Sequence, residues 1–430
     1  MKMLVLMIRK CIFVTRTEWM HAVLATTCLV SCAWAAQARG FGLIEFPPTT
    51  DGRLVLAVDF HTHTVFSDGF VWPSTRVDEA DLEGLAGIAL TDHLEWQPHR
   101  DDIPNPDRNR SYNLAVTEAK NLSERTHHLP VIVINGTEIT RGVPPGHLNA
   151  VFLKDVNGLL EPNYPVVSKV KDWLEFLSKD TPGLRRSVYT ALEKAHEQGG
   201  FIILNHPFNN FDEKGHLDDF NLQLIKQGLT DGIEVANAQL YVEAAFRLAL
   251  DQNLAIIGAA DLHDAANRWP YEGGEAYRVT AGDRAHRTVT LVLSQTRDEA
   301  GIHEALKTRT TVALFSEQLF GREADVDAIV SSALVYRISR PVEANTITNS
   351  TVITLLNRST IPFVIHYSGA RAPSTASRYW TVPPKGETDI EFWPPESGTG
   401  APIEPVTVEV MNAFIAPQKH AVVTLRTASR

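Results

Sequence analysis

The sequence predicts a parallel β/α barrel followed by a small antiparallel β-sandwich, and three observations carry that reading. Short apolar, β-branched runs alternate with helical patterns up to about residue 315, as expected for buried strands joined by helices. Six of these runs end or begin at histidine or carboxylate residues, and strand ends facing one rim are where such a barrel assembles its chemistry. From about Val335 the pattern changes to short alternating segments divided by Pro-, Gly- and Ser-rich turns, with no helix signal between them.

The first 38 residues read as an export signal. Basic residues come first, then the apolar A-V-L-A-T-T-C-L-V-S-C-A-W-A, then small-residue cleavage candidates at Ala33-x-Ala35 and Ala36-x-Ala38. The apolar run is too short to span a bilayer, so the mature chain is expected to carry no transmembrane segment. The long region before it points to Met20 as an alternative start. The expected location is periplasmic or secreted, with tethering through Cys32 of L-V-S-C as the alternative. Cys11, Cys28 and Cys32 all lie in this leader, so a product cut after Ala35 or Ala38 has neither disulfide nor thiolate ligand.

In the barrel region, 39–330, Leu54 to Phe60 run into His61 and His63 and then a turn at Asp68-Gly69. Residues two apart on a strand share a face, so both imidazoles can grip one cation. G-I-A-L-T-D-H places His93 after a second apolar run, with Asp92 beside it orienting the rim. V-I-V-I-N-G-T-E places Glu138 after a third, and G-H-L-N-A-V-F-L opens a fourth with His147. F-I-I-L-N-H-P ends at His206, and A-I-I-G-A-A-D-L-H ends with Asp261 and His263. These nine potential ligands describe a trinuclear metal site. Between strands, Ser187 is expected to cap a helix carrying Val188, Ala191, Leu192 and Ala195 and stopping at Gly199-Gly200, and Leu240 to Leu250 is a second apolar-periodic stretch.

Residues 335–430 supply V-I-T-L-L-N, P-F-V-I-H-Y, D-I-E-F-W, V-T-V-E-V and A-V-V-T-L-R as strand candidates. His366 and His420 stand alone there, so this domain is expected to stabilise or flank the barrel rather than react.

The chain has 430 residues, 44% hydrophobic and 21% charged, with formal net charge −11. That length divides naturally into one barrel and one smaller domain. A leader ending at Ala38 holds four basic residues and one acidic, so its loss leaves about −14. Such a field repels polyanions, and extended duplex nucleic acid is not an expected partner.

At the nine ligand positions the sequence resembles the PHP (polymerase and histidinol phosphatase) superfamily of metal-dependent phosphoesterases over most of 54–315. The stretches H-T-V-F-S-D-G-F-V-W-P, T-D-H-L-E-W-Q-P-H and I-P-N-P-D-R-N-R-S-Y look more narrowly like its Sb-PDE branch of phosphodiesterases. The resemblance sharpens the fold to a distorted (β/α)7 PHP barrel. It implies a first metal on His61, His63, Glu138 and Asp261, a second on Glu138, His147 and His206, and a third on Asp68, His93 and His263. Glu138 would bridge two cations, since a carboxylate offers two oxygens. Imidazole and carboxylate suit Mn, Zn or Fe without choosing among them.

Two cations roughly 3.5–4 Å apart would generate a bridging hydroxide and clamp an in-line displacement. The expected reaction is hydrolysis of a small-molecule phosphodiester, with Glu138, Asp261 and His263 carrying the chemistry. Arg108 and Arg110, in P-D-R-N-R, would hold the substrate phosphate, and Arg287 is a weaker candidate. Trp72, Trp96 and Trp269 would supply an apolar wall for the ester groups. The alternatives are a PHP-type phosphomonoesterase and an exported binding protein with structural metals. His99, His127, His128, His196, His216 and His303 lack the strand-end context and are expected to be structural or exposed.

Overall fold

The computed structural model describes residues 42–161, 164–179, 181–266, 286–341, 351–367, 379–392 and 406–428. The first 38 residues, expected to be an export leader, with the three cysteines, and Trp269 lie outside these residues.

The barrel wall is built from β1 (Leu54–Asp59), β2 (Gly87–Leu90), β3 (Ile132–Thr140), β4 (His147–Val151), β5 (Phe201–Leu204), β6 (Gly232–Asn237) and β8 (Ala255–Ala259), with the two-residue β7 (Leu240–Tyr241) hairpinned onto β6. Strands β1, β2 and β3 are parallel, as are β5, β6 and β8. The wall departs from a purely parallel barrel at β4, which runs antiparallel to both β3 and β5. Only six residues separate the pairing partners Thr140 and His147 at the turn, too few for a helical crossover, so the chain must hairpin. Reversal brings the start of β4, rather than its end, to the rim where the parallel strands finish.

Beyond β1 the sheet continues antiparallel through β9 (Val289–Ser294), β10 (Thr311–Phe315) and β11 (Gln318–Gly321). Side chains join β8 to this arm. The Gly258 N–H donates to Thr290 Oγ1 at 3.1 Å, the same hydroxyl donates to Gly258 O at 2.9 Å, and the Ile256 N–H donates to Thr311 Oγ1 at 3.1 Å. A Cβ at Gly258 would lie 2.7 Å from Val289 O, so the approach needs glycine.

Helices α1 (Pro73–Leu82), α2 (Arg110–Thr126), α3 (Val170–Leu177), α4 (Pro182–Glu197), α5 (Asp219–Lys226), α6 (Glu243–Asp251) and α7 (Glu299–Lys307) accompany the strands. Helix α4 buries Val188, Ala191, Leu192 and Ala195 at helical spacing. It starts earlier than the expected cap at Ser187. Thr181 caps it, accepting from the Leu184 N–H, and Pro182 occupies the first turn, where a missing N–H costs nothing. Ser187 instead donates to Leu184 O inside the helix. The stretch from Leu240 divides into β7 and α6.

After α8 (Glu323–Ala333), two sheets face each other. One contains β14 (Phe363–His366), β15 (Tyr379–Val382), β17 (Thr407–Ala416) and β18 (Lys419–Thr424); the other contains β12 (Leu334–Pro341), β13 (Thr351–Asn357), β16 (Glu387–Phe392) and β19 (Arg426–Thr427). Alternate residues Ile353, Leu355, Phe363, Ile365, Val408, Val410 and Val423 fill one apolar cluster, the pattern of a sandwich. The two parts share backbone: β17 pairs in parallel with β11, making one fifteen-stranded sheet.

Candidate metal centre

Local pairing carries the ligand residues to one rim. The Asp59 carboxylate, at the end of β1, accepts the N–H groups of His61 and Ala260 at 3.2 and 3.1 Å, which ties the segment holding His61 and His63 to the one holding Asp261. Gly69 allows the turn at Asp68 to fold back, since a Cβ there would meet His63 C at 2.6 Å. Past the end of β2, His93 forms an isolated parallel bridge with Glu138, which lies within β3. His147 opens the reversed β4. His206 and Asp261 hold φ of 25° and 51°, rarely populated by residues with a Cβ and typical of over-determined sites.

All nine predicted side chains converge. Asp261 Oδ1 is 3.2 Å from Nε2 of both His61 and His63, and those two nitrogens are 3.1 Å apart. Glu138 Oε1 faces His147 Nδ1 at 3.0 Å, His61 Nε2 at 3.4 Å and His206 Nε2 at 3.5 Å, while its Oε2 faces His93 Nδ1 at 2.7 Å. Asp68 reaches His93 Nε2 and His263 Nε2, each at 3.3 Å. The geometric groups are His61–His63–Asp261, His61–Glu138–His206, His93–Glu138–His147 and His63–Asp68–His93–His263. Glu138 thus opens in two directions, and His93 is shared between Glu138 and Asp68.

The donor set fits divalent cations on an independent observation. Asp68 Oδ1, Glu138 Oε2 and Asp261 Oδ1 are buried and make no hydrogen bond within the protein, although buried polar atoms are normally paired. Converging imidazole nitrogens and bare carboxylate oxygens are what a hard-to-borderline cation requires. Burial pushes the Glu138 and Asp261 carboxyls up, but the surrounding histidines outweigh it and hold both well below the usual range. Burial lowers His61 too, yet Asp261, Glu234 and Glu138 raise it well above its ordinary value. Burial together with His263 pushes His63 down.

A second tier supports these side chains. Asp92 accepts from the Thr64 N–H at 2.7 Å and from the Ser67 hydroxyl at 2.8 Å, so it orients the rim as expected. Arg76, fully buried, donates to His63 O, Leu262 O and Asp264 O at 2.8–2.9 Å. Arg287 pairs with Glu83 at 2.6 Å and Asp59 at 3.2 Å, which assigns it to the barrel wall beneath the site. Asn205 donates to Glu138 Oε1 at 2.8 Å. Buried Glu234 contacts both His61 and His206. Arg76 and Glu234 escaped the sequence reading; the one available signal was a carboxylate inside the apolar strand G-I-E-V-A-N.

The two candidate phosphate arginines take different positions. Arg110 opens α2, donates to Pro104 O at 2.9 Å and lies 4.9 Å from the Phe66 ring centroid. Arg108 donates to Asn105 O at 2.6 Å and keeps a buried Nε without a hydrogen-bond partner; burial lowers its pKa while Glu95 opposes that shift. Trp96 is buried and stacks on Trp173, centroids 4.9 Å apart, and Trp173 stands 6.0 Å from His93. Trp72 packs edge-on against Phe66. Phe70 and Phe208 sit beside His263 and His206 with 62% and 47% of their surface exposed. Of the other histidines, His128 meets Asp81 on the surface, His196 meets Asp231, and His303 stacks on Phe152.

Residues 339–426 match a family model described as an Ig-like domain. Among solved structures, the chain is similar to a two-domain protein of Bacteroides vulgatus described as containing a predicted PHP-like metal-dependent phosphoesterase. That likeness has a TM-score of 0.70 at 30% identity and covers 90% of this chain and 98% of that one. The lesion-specific endonuclease Q of Pyrococcus furiosus aligns at 15% identity and a TM-score of 0.32, over 59% of this chain and 56% of that one. An uncharacterized protein of Methanocaldococcus jannaschii is 36% identical over 87 residues, 20% of this chain, and the match spans about a third (34%) of that relative.

Proposed function

We propose, from the premise that this chain belongs to the PHP-like metal-dependent phosphoesterases, that it hydrolyses small organic phosphodiesters at a centre of up to three divalent cations. The nine convergent donors with three bare buried carboxylate oxygens carry this reading. His61, His63, Glu138 and Asp261 would hold one cation, His147 and His206 with Glu138 a second, and Asp68, His93 and His263 a third, with Mn, Zn or Fe as the candidates. Such cations would supply Lewis acidity, activating water and neutralising phosphoryl charge.

The chain's own residues would do the rest. Glu138 offers one oxygen to each side of the cluster and offsets the charge of neighbouring cations. Asp261 sets a single oxygen, Oδ1, between His61 and His63, and His263 would close the solvent side. Arg108, whose Nε has no hydrogen-bond partner within the protein, would meet a phosphoryl oxygen; Arg110, held against Phe66, would stand at the edge of the substrate site. The net reaction adds water across one P–O ester bond, giving a phosphomonoester and an alcohol that takes the water's proton.

The preference for diesters rests on the rim. A diester brings two organic groups and one charge, and Trp173, Phe70 and Phe208 offer apolar surface next to His93, His263 and His206. Turnover of the metal-loaded protein on aryl and alkyl phosphodiesters against the matching monoesters tests it. The expected kcat/KM is at least about tenfold higher on diesters, a difference of about 1.4 kcal/mol in transition-state binding; a monoester preference overturns it.

Export is part of the same proposal, resting on the leader pattern. No helix among the described residues is long and apolar enough to cross a membrane. Intact mass of the secreted product distinguishes a start at Ala36 or Arg39 from an acylated start at Cys32, and an uncut chain refutes processing. The acidic balance makes small phosphodiesters, rather than extended nucleic acid, the proposed partners.

A further inference from the structure

Glu234 lies in the middle of β6, 1% exposed, and belongs to none of the ligand groups. Its Oε1 is 2.8 Å from His61 Nδ1. Its Oε2 accepts the backbone N–H of His206 at 2.6 Å and the side-chain amide of Asn237 at 2.8 Å. One carboxylate therefore grips the ring of a residue after β1 and the backbone of a residue after β5.

We propose that Glu234 is a positioning residue that assembles one half of the metal centre, setting the tautomer of His61 and the backbone of His206 together. By accepting a hydrogen bond from His61 Nδ1–H it keeps the ring proton on that nitrogen and leaves the Nε2 lone pair facing Asp261, Glu138 and His63, the one neutral tautomer in which Nε2 can ligate. By holding the His206 N–H it maintains φ at 25°, a conformation that persists only when surrounding contacts over-determine it. His206 then presents Nε2 to Glu138 Oε1 at 3.5 Å. The other half of the centre has its own supports: His93 Nδ1 meets Thr140 Oγ1 at 2.6 Å and His263 Nδ1 meets Asp261 O at 3.0 Å. Loss of Glu234 is thus a local injury.

This inference rests on the metal-centre reading, and its test reads metal binding rather than turnover. The full mature chain and its Glu234→Gln variant are stripped, titrated with Zn(II) or Mn(II) against a competing chelator, and analysed for bound equivalents, with far-UV circular dichroism as the check on folding. Gln keeps the shape and one acceptor but turns an N–H donor toward either His61 Nδ1 or His206 N. The expected result is a 10–100-fold weaker affinity for the equivalents that depend on His61 and His206, with the equivalent on Asp68, His93 and His263 held as in the parent. Asn237→Ala, which only removes a donor to Glu234 Oε2, should weaken the same equivalents by a smaller factor and keeps the test open if Glu234→Gln does not fold. Unchanged affinities in both variants, or equal weakening of every equivalent in a folded variant, overturn the role of Glu234. A parent protein that binds no divalent metal overturns the metal-centre reading as well, which separates the two failures.

Discussion

Phe320 on β11 and Phe414 on β17 stack face to face, with ring centroids 5.0 Å apart and planes 7° from parallel. Their backbones are paired partners in the parallel ladder that fuses the barrel sheet to the Ig-like domain, and Tyr241 also stacks on Phe320, centroids 4.4 Å apart. Removing residues 335–430 would strip the partner from β11 and leave a hydrophobic sheet edge open to aggregation. All nine proposed ligands lie before residue 264, so turnover per folded, metal-loaded barrel should survive truncation while solubility falls. A soluble truncated barrel with full metal content and no turnover would show that the second domain completes the substrate site. In the intact chain, Phe414→Ala should cost about 2 kcal/mol, below the range for a fully buried phenylalanine, as read by urea unfolding.

Glu138→Gln should be the most damaging conservative change at the centre. The carboxylate faces histidines from four segments, and the amide lacks the charge that offsets adjacent cations. Metal content should fall by at least one equivalent and kcat by at least about 100-fold, or 2.7 kcal/mol. His128→Ala removes an exposed contact to Asp81 and should leave the rate within about threefold, under 1 kcal/mol by the same relation. Near-normal metal and rate in Glu138→Gln would remove it from the bridging position.

Trp173→Ala should raise KM for aryl phosphodiesters and leave metal content unchanged, because the indole touches the rim through stacking on Trp96 and proximity to His93. Arg108→Ala should raise KM for all diesters alike, since it would meet the phosphoryl group and not the ester arm. Identical effects of the two changes on dimethyl and diaryl substrates would contradict the assigned division of labour.

His303 provides a pH prediction away from the metal centre. Burial against Phe152, helped by the charge of Lys307, pushes its imidazole from 6.5 down to about 4. The unfolded chain therefore takes up a proton near pH 6.5 that the folded chain refuses until about pH 4. Stability from this group is complete above pH 6.5 and is lost as pH falls through that window. His303→Phe keeps the stacking and cannot charge, so urea unfolding of the metal-free proteins should show the variant losing less stability than the parent between pH 7 and pH 5. Parallel curves would mean the ring is not held neutral.

The ligand segments were legible because their signal is local. A strand that must be buried is apolar, so a histidine or carboxylate at its end stands out, and spacing such as His61-x-His63 already places both rings on one face. The sandwich strands were legible for the same reason, as alternation across one buried face, though Y-W-T-V of β15 was not among the segments singled out. The cap of α4 was misplaced because Ser187 and Thr181 are both good capping residues, and which one ends the helix depends on how the preceding segment docks.

By itself the sequence determined which side chains could bind metal and the two-part division of secondary structure, since both follow from periodicity and residue chemistry over a few positions. Only the tertiary structure decided how those side chains share oxygens and what holds them. Glu234 acts on His61 across 173 residues and Arg76 on Leu262 across 186, and a hydrogen bond between distant segments leaves no periodic trace in the chain. The reversal of β4 and the pairing of β11 with β17 belong to the same class: a strand's pattern records which face is buried, whereas its direction and its neighbour are set by the loops and by which unpaired edge it meets when the chain packs.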